Sequence, residues 1–490
     1  MLLNARQAAC EFGFLTPDKF VEATLGTLNT YDRLEKQRGH IYNWYDIEKL
    51  QPISPRIVSA VDSGNLAASF YSLQSGVLEM LKRPLLPEEW LSRWRADSAT
   101  RAGDWAEEEE QRCRQEWVRF ADVYAPWLSS RFEALFQGAT LVPQPEPLTL
   151  AKAAGYAAEL EARLATVSGS VQLQGLAAEL RGLLPAARER IMQLCKDLVS
   201  IADRSNRNAD AMQYGFLLVK SRNLLSIGYD GVTGELYGAC YDLLASEARM
   251  AFFLAVAKGD IEQSSWFRLD RSHVLVKGQA CLLSWTGTMF EYMMPALWMR
   301  PYPNTLITRS LESAVRIQRD HVRNMPWGIS ESGFAKLDDS GRYGYQAWGI
   351  PQVALKYGAE DGPVISPYST FLALPLLRDE AIENLRRMAS MDWVGGYGFY
   401  EAADYTQGRE PKMVRSWMAH HQGMSLLALT NLLRDGAFQR WFHATPIVRA
   451  TELLLHEKPL SKESREALDE AVVNKPGEKA TEGDRAAKVA

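Results

Sequence analysis

Two glutamates close unusually dense runs of aromatic residues and glycine. Glu331 ends Pro326-Trp327-Gly328-Ile329-Ser330-Glu331, and Glu401 ends Tyr397-Gly398-Phe399-Tyr400-Glu401. Glycine and proline interrupt any helical or strand period there, so both carboxyls are expected on irregular backbone. Flat apolar rings suit stacking on a pyranose, and partial desolvation lifts a carboxyl pKa toward the general-acid range. A carboxyl pair in such surroundings is what glycosidic-bond chemistry requires. Taken singly, each run also reads as a surface loop whose rings pack on the core; two in one chain favour the pair. Glu291 is a rival. Ser284-Trp285-Thr286-Gly287-Thr288-Met289-Phe290-Glu291-Tyr292 places it among aromatics near a helix start, where a negative charge also favours the helix itself.

The stretch Arg415-Ser416-Trp417-Met418-Ala419-His420-His421-Gln422-Gly423-Met424 puts two histidines and a glutamine at a helix entrance. Adjacent histidines point in different directions on a helix, so they do not form a metal-binding pair. Each reads either as a contact to sugar hydroxyls or as a buried hydrogen-bonded group. The chain carries no phosphate-cradling glycine loop and no nucleophile-elbow motif. No metal and no cofactor is expected.

These residues need a scaffold, and 490 residues are enough for two or three domains or one large helical barrel. A net charge of −5 leaves no nucleic-acid footprint, and a neutral polymer needs no charge steering. The cysteines, Cys10, Cys113, Cys195, Cys240 and Cys281, are scattered without ligand spacing, which argues for reduced thiols in a cytosolic compartment. Charge comes too early in Met1-Leu2-Leu3-Asn4-Ala5-Arg6 for a signal peptide, and no apolar run approaches a membrane span.

Along the chain, residues 1–84 alternate helices with the loop Arg38–Asp46. Asp62 or Ser63 is placed to cap a helix running to about Lys82. Residues 85–210 are rich in Glu, Arg and Ala, broken at 143–147, and read as a helical excursion of long amphipathic helices. Residues 211–457 alternate helical runs at 241–257, 306–323 and 365–377 with loops full of Trp, Tyr, Gly and Asn. Strand signals are few and short, the best at 224–229 and 273–276. Ser366-Pro367 reads as a cap and first turn, and Gly436 stops the helix that carries Met424, Leu427, Ala428 and Leu432. The tail 458–490 is charged and without aromatics, and disorder is expected. The pattern predicts an all-α barrel of paired helices with an inserted helical region and minor β-structure.

At this point the residues carry a specific likeness. PWGISES at 326–332, YGFYEAADYT at 397–406 and MAHHQGMS at 418–425 resemble the glycoamylase-like domain of bacterial cyclic β-1,2-glucan synthases. So do RGHIYNWYD at 38–46, VDSGNLA at 61–67, YDLLASEAR at 241–249, FEYMMP at 290–295 and ATELLLHE at 450–457, in the same order. The resemblance implies an (α/α)6 barrel with linear β-1,2-glucan along a cleft, closed into a ring by transglycosylation. It also implies a fragment or a separately encoded piece: the membrane-bound glycosyltransferase and phosphorylase-like regions of a synthase are absent, and the family's opening segment is missing before Glu11.

Cyclisation conserves the anomeric outcome, which two displacements through a glycosyl-enzyme intermediate achieve most simply. Glu331 and Glu401 are assigned to these steps, Glu401 preferentially as nucleophile, with Glu291 able to displace either. Trp44, Trp327, Tyr345, Tyr368, Tyr397 and Tyr400 are candidate stacking platforms. Asp46, Asp62, Asn65, Gln346, His420, His421 and Gln422 are candidate hydroxyl partners. Asp404, just past Glu401, reads either as orienting it or as a helix cap. The alternatives are an endo-β-1,2-glucanase and an inactive glucan-binding module. The expected location is cytoplasmic, alone or at the inner face of the inner membrane beside the remainder of a synthase.

Overall fold

The computed structural model describes residues 1–87, 104–137, 147–322, 324–355, 363–461 and 463–464, and for 104–107 the backbone alone. Most of the break at 143–147 and nearly all of the tail 458–490 lie outside the described residues. The chain divides into two compact units. One comprises Met1–Ala5, Leu34–Ser72 and Asn208–Ala490; the other comprises Arg6–Arg33 and Leu73–Arg207.

The second unit is built from long helices, among them Pro17–Arg33, Asp104–Tyr124, Leu150–Leu164 and most of Val171–Ala211. Each turns an apolar stripe inward, burying Phe20, Leu28, Phe120, Leu160, Ile191 and Leu198. The polar faces carry ion pairs such as Arg112–Glu109 at 2.6 Å. Exposed pairs of this kind contribute about 0–1 kcal/mol, so apolar burial holds this unit together.

The first unit contains the helices Arg249–Ala257, Leu306–His321, Pro367–Ala373, Arg378–Ser390, Ala419–Leu433 and Ala437–His443. Trp266, Trp298, Trp393 and Trp441 are fully buried in it. In Leu306–His321 the buried Leu306, Ser310, Leu311, Ala314, Val315 and Gln318 recur at helical spacing. Strand, among the described residues, is limited to antiparallel sheets of two or three short strands. No described helix is long and apolar enough to cross a membrane.

Tertiary pairing overrides local pattern at several places. The run 241–257 is helical only over Arg249–Ala257. Upstream, the Leu244 N–H donates to the Asp270 carbonyl (3.1 Å) and the Asp270 N–H to the Asp242 carbonyl (2.6 Å), drawing the backbone off the helical path. The run 365–377 is helical over Pro367–Ala373, because Val364–Ile365 pairs with Ala402–Asp404, which in turn pairs with Lys412–Val414. Pro367 opens that helix as expected, but the Ser366 hydroxyl donates to the Glu401 carbonyl (2.6 Å) instead of capping. The helix from Leu306 ends at His321; Arg323 lies outside the described residues.

The helix Ala60–Met80 starts earlier than its sequence suggests. Ser59 Oγ accepts the Asp62 N–H (3.2 Å), so Ser59 performs the capping expected of Asp62 or Ser63. That frees the Asp62 carboxyl. Ser63 is held by His40 Nδ1 (2.8 Å) and by the Tyr214 hydroxyl on its carbonyl (2.9 Å). Gly64 lets the Arg249–Ala257 helix cross at backbone contact, since a Cβ there would lie 2.7 Å from Ala251 N. Glycine to alanine inside a helix ordinarily gains about 1 kcal/mol. Here the overlap with backbone outweighs that gain, and Gly64→Ala is expected to destabilise by about 1–3 kcal/mol, read as a lowered Tm in thermal unfolding. An unchanged or raised Tm would mean the crossing is looser than described.

Candidate active site

Glu331 is fixed from its backbone outward. Gln318 brackets Ile329 with two bonds of 2.8 Å, one to its N–H and one to its carbonyl. A buried relay follows: the Phe290 N–H donates to Ser330 Oγ (3.0 Å), Ser330 pairs with the Tyr368 hydroxyl (2.8 Å), and Tyr368 donates to the Glu331 carbonyl (2.9 Å). Gly328 allows the chain to pass this close to Pro367–Ala373. Its φ is +128°, and a Cβ would meet Ser369 Oγ at 2.5 Å. With its backbone held, the half-buried Glu331 side chain is left to the cleft near Tyr345, whose phenol is raised by burial and then by the Glu331 charge.

Glu401 has a different setting. Its carboxyl accepts from His421 Nδ1 (2.9 and 3.0 Å) and from the Gly333 N–H (3.1 Å). Both the Glu401 and His421 side chains are only 1% exposed. The His421 ring lies flat on Tyr368, with centroids 3.8 Å apart and planes at 10°. Tyr345, on the hairpin Ser332–Leu337/Tyr343–Gln346, presents its hydroxyl 3.5 Å from Nε2 of both His420 and His421.

Glu247 is the carboxyl that motif reading passed over. It lies on the turn into Arg249–Ala257, in the segment pulled away from helix, and is partly exposed. Burial, reinforced by Asp62, Glu331 and Glu291, pushes its carboxyl well above the usual carboxylate range; the Asn65 side chain opposes by hydrogen bonding. Tyr241 shares the pocket, its phenol raised by burial and by Glu247, Asp62 and Glu331. The available sequence signal was one acid inside the apolar run Leu243-Leu244-Ala245-Ser246-Glu247-Ala248. Asn65 Oδ1 and Ser332 Oγ are buried without a hydrogen-bond partner among the described residues.

Glu291 is engaged by its own helix start. Its carboxyl accepts from Thr286 Oγ1 (2.8 Å), the Thr286 N–H (3.1 Å) and the Thr288 N–H (3.3 Å), closing a capping box over Met289–Met293. Burial raises its pKa against these bonds. Asp404 is neither a helix cap nor a partner of Glu401: it accepts from the Ala335 N–H (2.8 Å) and from Thr406. Asp46 closes a turn through the Glu48 and Lys49 N–H groups.

Of the proposed platforms, Trp327 is 5% exposed, and Tyr368 is likewise buried under His421. Neither offers a face to a ligand. Trp44, Tyr345 and Tyr397 do, at 57%, 42% and 72% exposure. Asn43 links the Trp44 loop to the cleft by donating to Asp62 (3.3 Å). Tyr397 and Tyr400 pack on Trp417 at 5.3 and 5.2 Å, a ring absent from the sequence-based candidates. Gln422 ties this cluster down by donating to the Phe399 carbonyl (3.1 Å). Gln346 lies on the hairpin strand opposite Ser332. The structure thus gathers Asp62, Asn65, Tyr241, Glu247, Glu331 and Tyr345 at one place.

Residues 240–446, which contain all four glutamates, match the glycoamylase family model. The cyclic β-(1,2)-glucan synthase NdvB of Rhizobium meliloti (strain 1021) is 34% identical over 471 residues, covering 92% of this chain and 17% of that protein. The chain therefore spans a minor part of that relative's length. A β-1,2-glucanase from Parabacteroides distasonis superposes with a TM-score of 0.54 at 11% identity, over 93% of this chain and 54% of that one. An endo-β-1,2-glucanase from Talaromyces funiculosus, solved with sophorose, gives 0.44 at 14% identity, over 92% and 93% of the two chains. The Parabacteroides likeness bears on fold alone, and the fold is all-α, of the (α/α)6-barrel type. The chain therefore carries a glycoamylase-like domain at residues 240–446, and nearly all of it is similar to a segment of that cyclic β-(1,2)-glucan synthase.

Proposed function

We propose that this chain acts on linear β-1,2-glucan and closes it into a ring by retaining transglycosylation. The observation that carries the reading is Glu247, a partly exposed carboxyl held above the usual range in the same cleft as Glu331. Such a group is protonated where ordinary carboxyls are not, which suits a general acid. The likeness to a cyclic β-(1,2)-glucan synthase supplies the substrate class. The exposed Trp44 and the Tyr397–Trp417 cluster supply ring faces for a glucan chain. The rest of a synthase, at a membrane, is the partner this reading implies.

In the first displacement the Glu331 carboxylate bonds to the anomeric carbon while the glycosidic C–O bond breaks. The Glu247 proton goes to the departing oxygen. In the second, a hydroxyl at the chain's other end attacks that carbon and gives its proton to Glu247, and the bond to Glu331 breaks. The nucleophile role first favoured for Glu401 goes to Glu331, because a side chain 1% exposed does not reach an anomeric carbon. Glu291 receives no bond-making step, being committed to its helix.

Incubation with linear β-1,2-glucan and mass spectrometry of the products tests the reading. Products lighter than linear chains by one water support it. Short linear oligosaccharides would assign hydrolysis instead, and unchanged substrate a binding module. Glu331→Gln and Glu247→Gln are each expected to lower kcat by about 10²–10⁴-fold, whereas Glu291→Gln should retain most activity; full activity in Glu247→Gln would remove it from the acid role.

Stability supplies a separate check. A carboxyl whose folded pKa lies above its ordinary 4.5 binds protons more tightly in the folded state. Stability is therefore lost as pH rises from about 4.5 through the folded pKa. Glu247→Gln removes that loss, so its Tm should exceed that of the unsubstituted chain at pH 8 and approach it near pH 4. A variant that melts lower at pH 8 would contradict the raised pKa.

A further inference from the structure

Glu401 and His421 form a charged-type pair sealed from solvent, yet the pair ends on an exposed hydroxyl. Burying such a pair is favourable only where the geometry satisfies it fully. Glu401 takes His421 Nδ1 on both carboxyl oxygens, and Tyr368 stacks on the ring at 3.8 Å, so the imidazole has one orientation available. A carboxyl accepting at Nδ1 requires the proton on that nitrogen, which directs Nε2 outward. Nε2 faces the Tyr345 hydroxyl at 3.5 Å, and the Tyr345 ring lies within 25° of parallel to the imidazole. A second route joins the same residues. Gly333, whose N–H binds Glu401, is the register partner of Tyr345 across the hairpin. Tyr345 is 42% exposed, and its phenol lies near enough to Glu331 for that carboxylate, after burial, to raise its pKa.

We propose that Glu401 and His421 are positioning residues that hold the Tyr345 hydroxyl as an acceptor for a substrate hydroxyl beside Glu331; this rests on the role given to Glu331 above. The single phenol proton of Tyr345 goes to His421 Nε2, which leaves its oxygen to accept from a sugar hydroxyl beside Glu331. Glu401 acts on the reaction only through His421 and the hairpin. The competing account makes Glu401–His421 a staple between the hairpin and the Ala419–Leu433 helix, with no bearing on Tyr345.

Two measurements on the full chain test the proposal, and the second decides between the two accounts. The first needs no substrate: nitrogen NMR of ¹⁵N-histidine-labelled protein, with His421→Asn identifying the resonance. The expected tautomer carries hydrogen on Nδ1 with Nε2 unprotonated, and Glu401→Gln is expected to erase that preference. The opposite tautomer overturns the proposal. The second is a double-substitution cycle on turnover of linear β-1,2-glucan. Tyr345→Phe should lower kcat by about 10–100-fold with KM changed less than about threefold. Glu401→Gln should lower kcat by about tenfold or more alone, but by less than about threefold in the Tyr345→Phe background. Equal losses in both backgrounds indicate a staple and overturn the proposal. If Glu401→Gln does not fold, His421→Asn takes its place in the cycle. If the unsubstituted chain leaves β-1,2-glucan unchanged, the functional reading fails while the tautomer still judges the positioning.

Discussion

Everything at this site depends on a single constraint: the Glu247 carboxyl is withdrawn from water, and the neighbouring Asp62 and Glu331 further disfavour a charge on it. Glu247 responds by holding its proton. That arrangement persists only if the groups cannot drift apart to relieve it. The surrounding structure is accordingly built to prevent drift. Gly64 clamps the helix bearing Asp62 and Asn65 against the one that follows Glu247, and Ser59, His40 and Tyr214 hold its first turn.

The Glu331 side is restrained by a different device, a run of buried hydrogen bonds from Phe290 through Ser330 and Tyr368 to the Glu331 carbonyl. Low local polarity makes each such bond costly to break, so a chain of them behaves as one rigid part. Glu291 contributes to the same part without touching the cleft chemistry. Its capping box fixes the helix start whose Phe290 N–H begins the run. Four glutamates therefore divide into two that face the cleft, Glu247 and Glu331, and two that support it, Glu291 and Glu401. The supporting pair have several partners each, which is what an acceptor needs in order to remain inside a fold.

The aromatic residues divide in the same way. Trp327 and Tyr368 are internal, one packed against the core and the other roofing His421. Trp44, Tyr345 and Tyr397 stay open, and Trp417 braces the last of these. The uncharged glucan proposed as substrate would be gripped by ring faces and hydroxyl partners rather than by field, which suits the chain's modest net charge of −5.

The sequence by itself determined the fold class, because helical spacing of apolar residues persists through both units and strand patterns are short. It also determined the family, because long motifs around Glu331, Glu401 and His421 occur in a characteristic order. It singled out Glu331, Asp62, Asn65 and Tyr345, which do meet. Only the tertiary structure decided which acids face the cleft. Glu247 was hidden within a stretch whose local pattern reads as helix, and it emerges because Asp242 and Leu244 pair with Asp270 instead. Glu401 and Trp327 read as exposed because loops rich in glycine and rings usually are; here His421, Gly333 and the Pro367–Ala373 helix enclose them. Burial and charge coupling arise from contacts between residues distant in sequence, and no spacing rule along one chain encodes them.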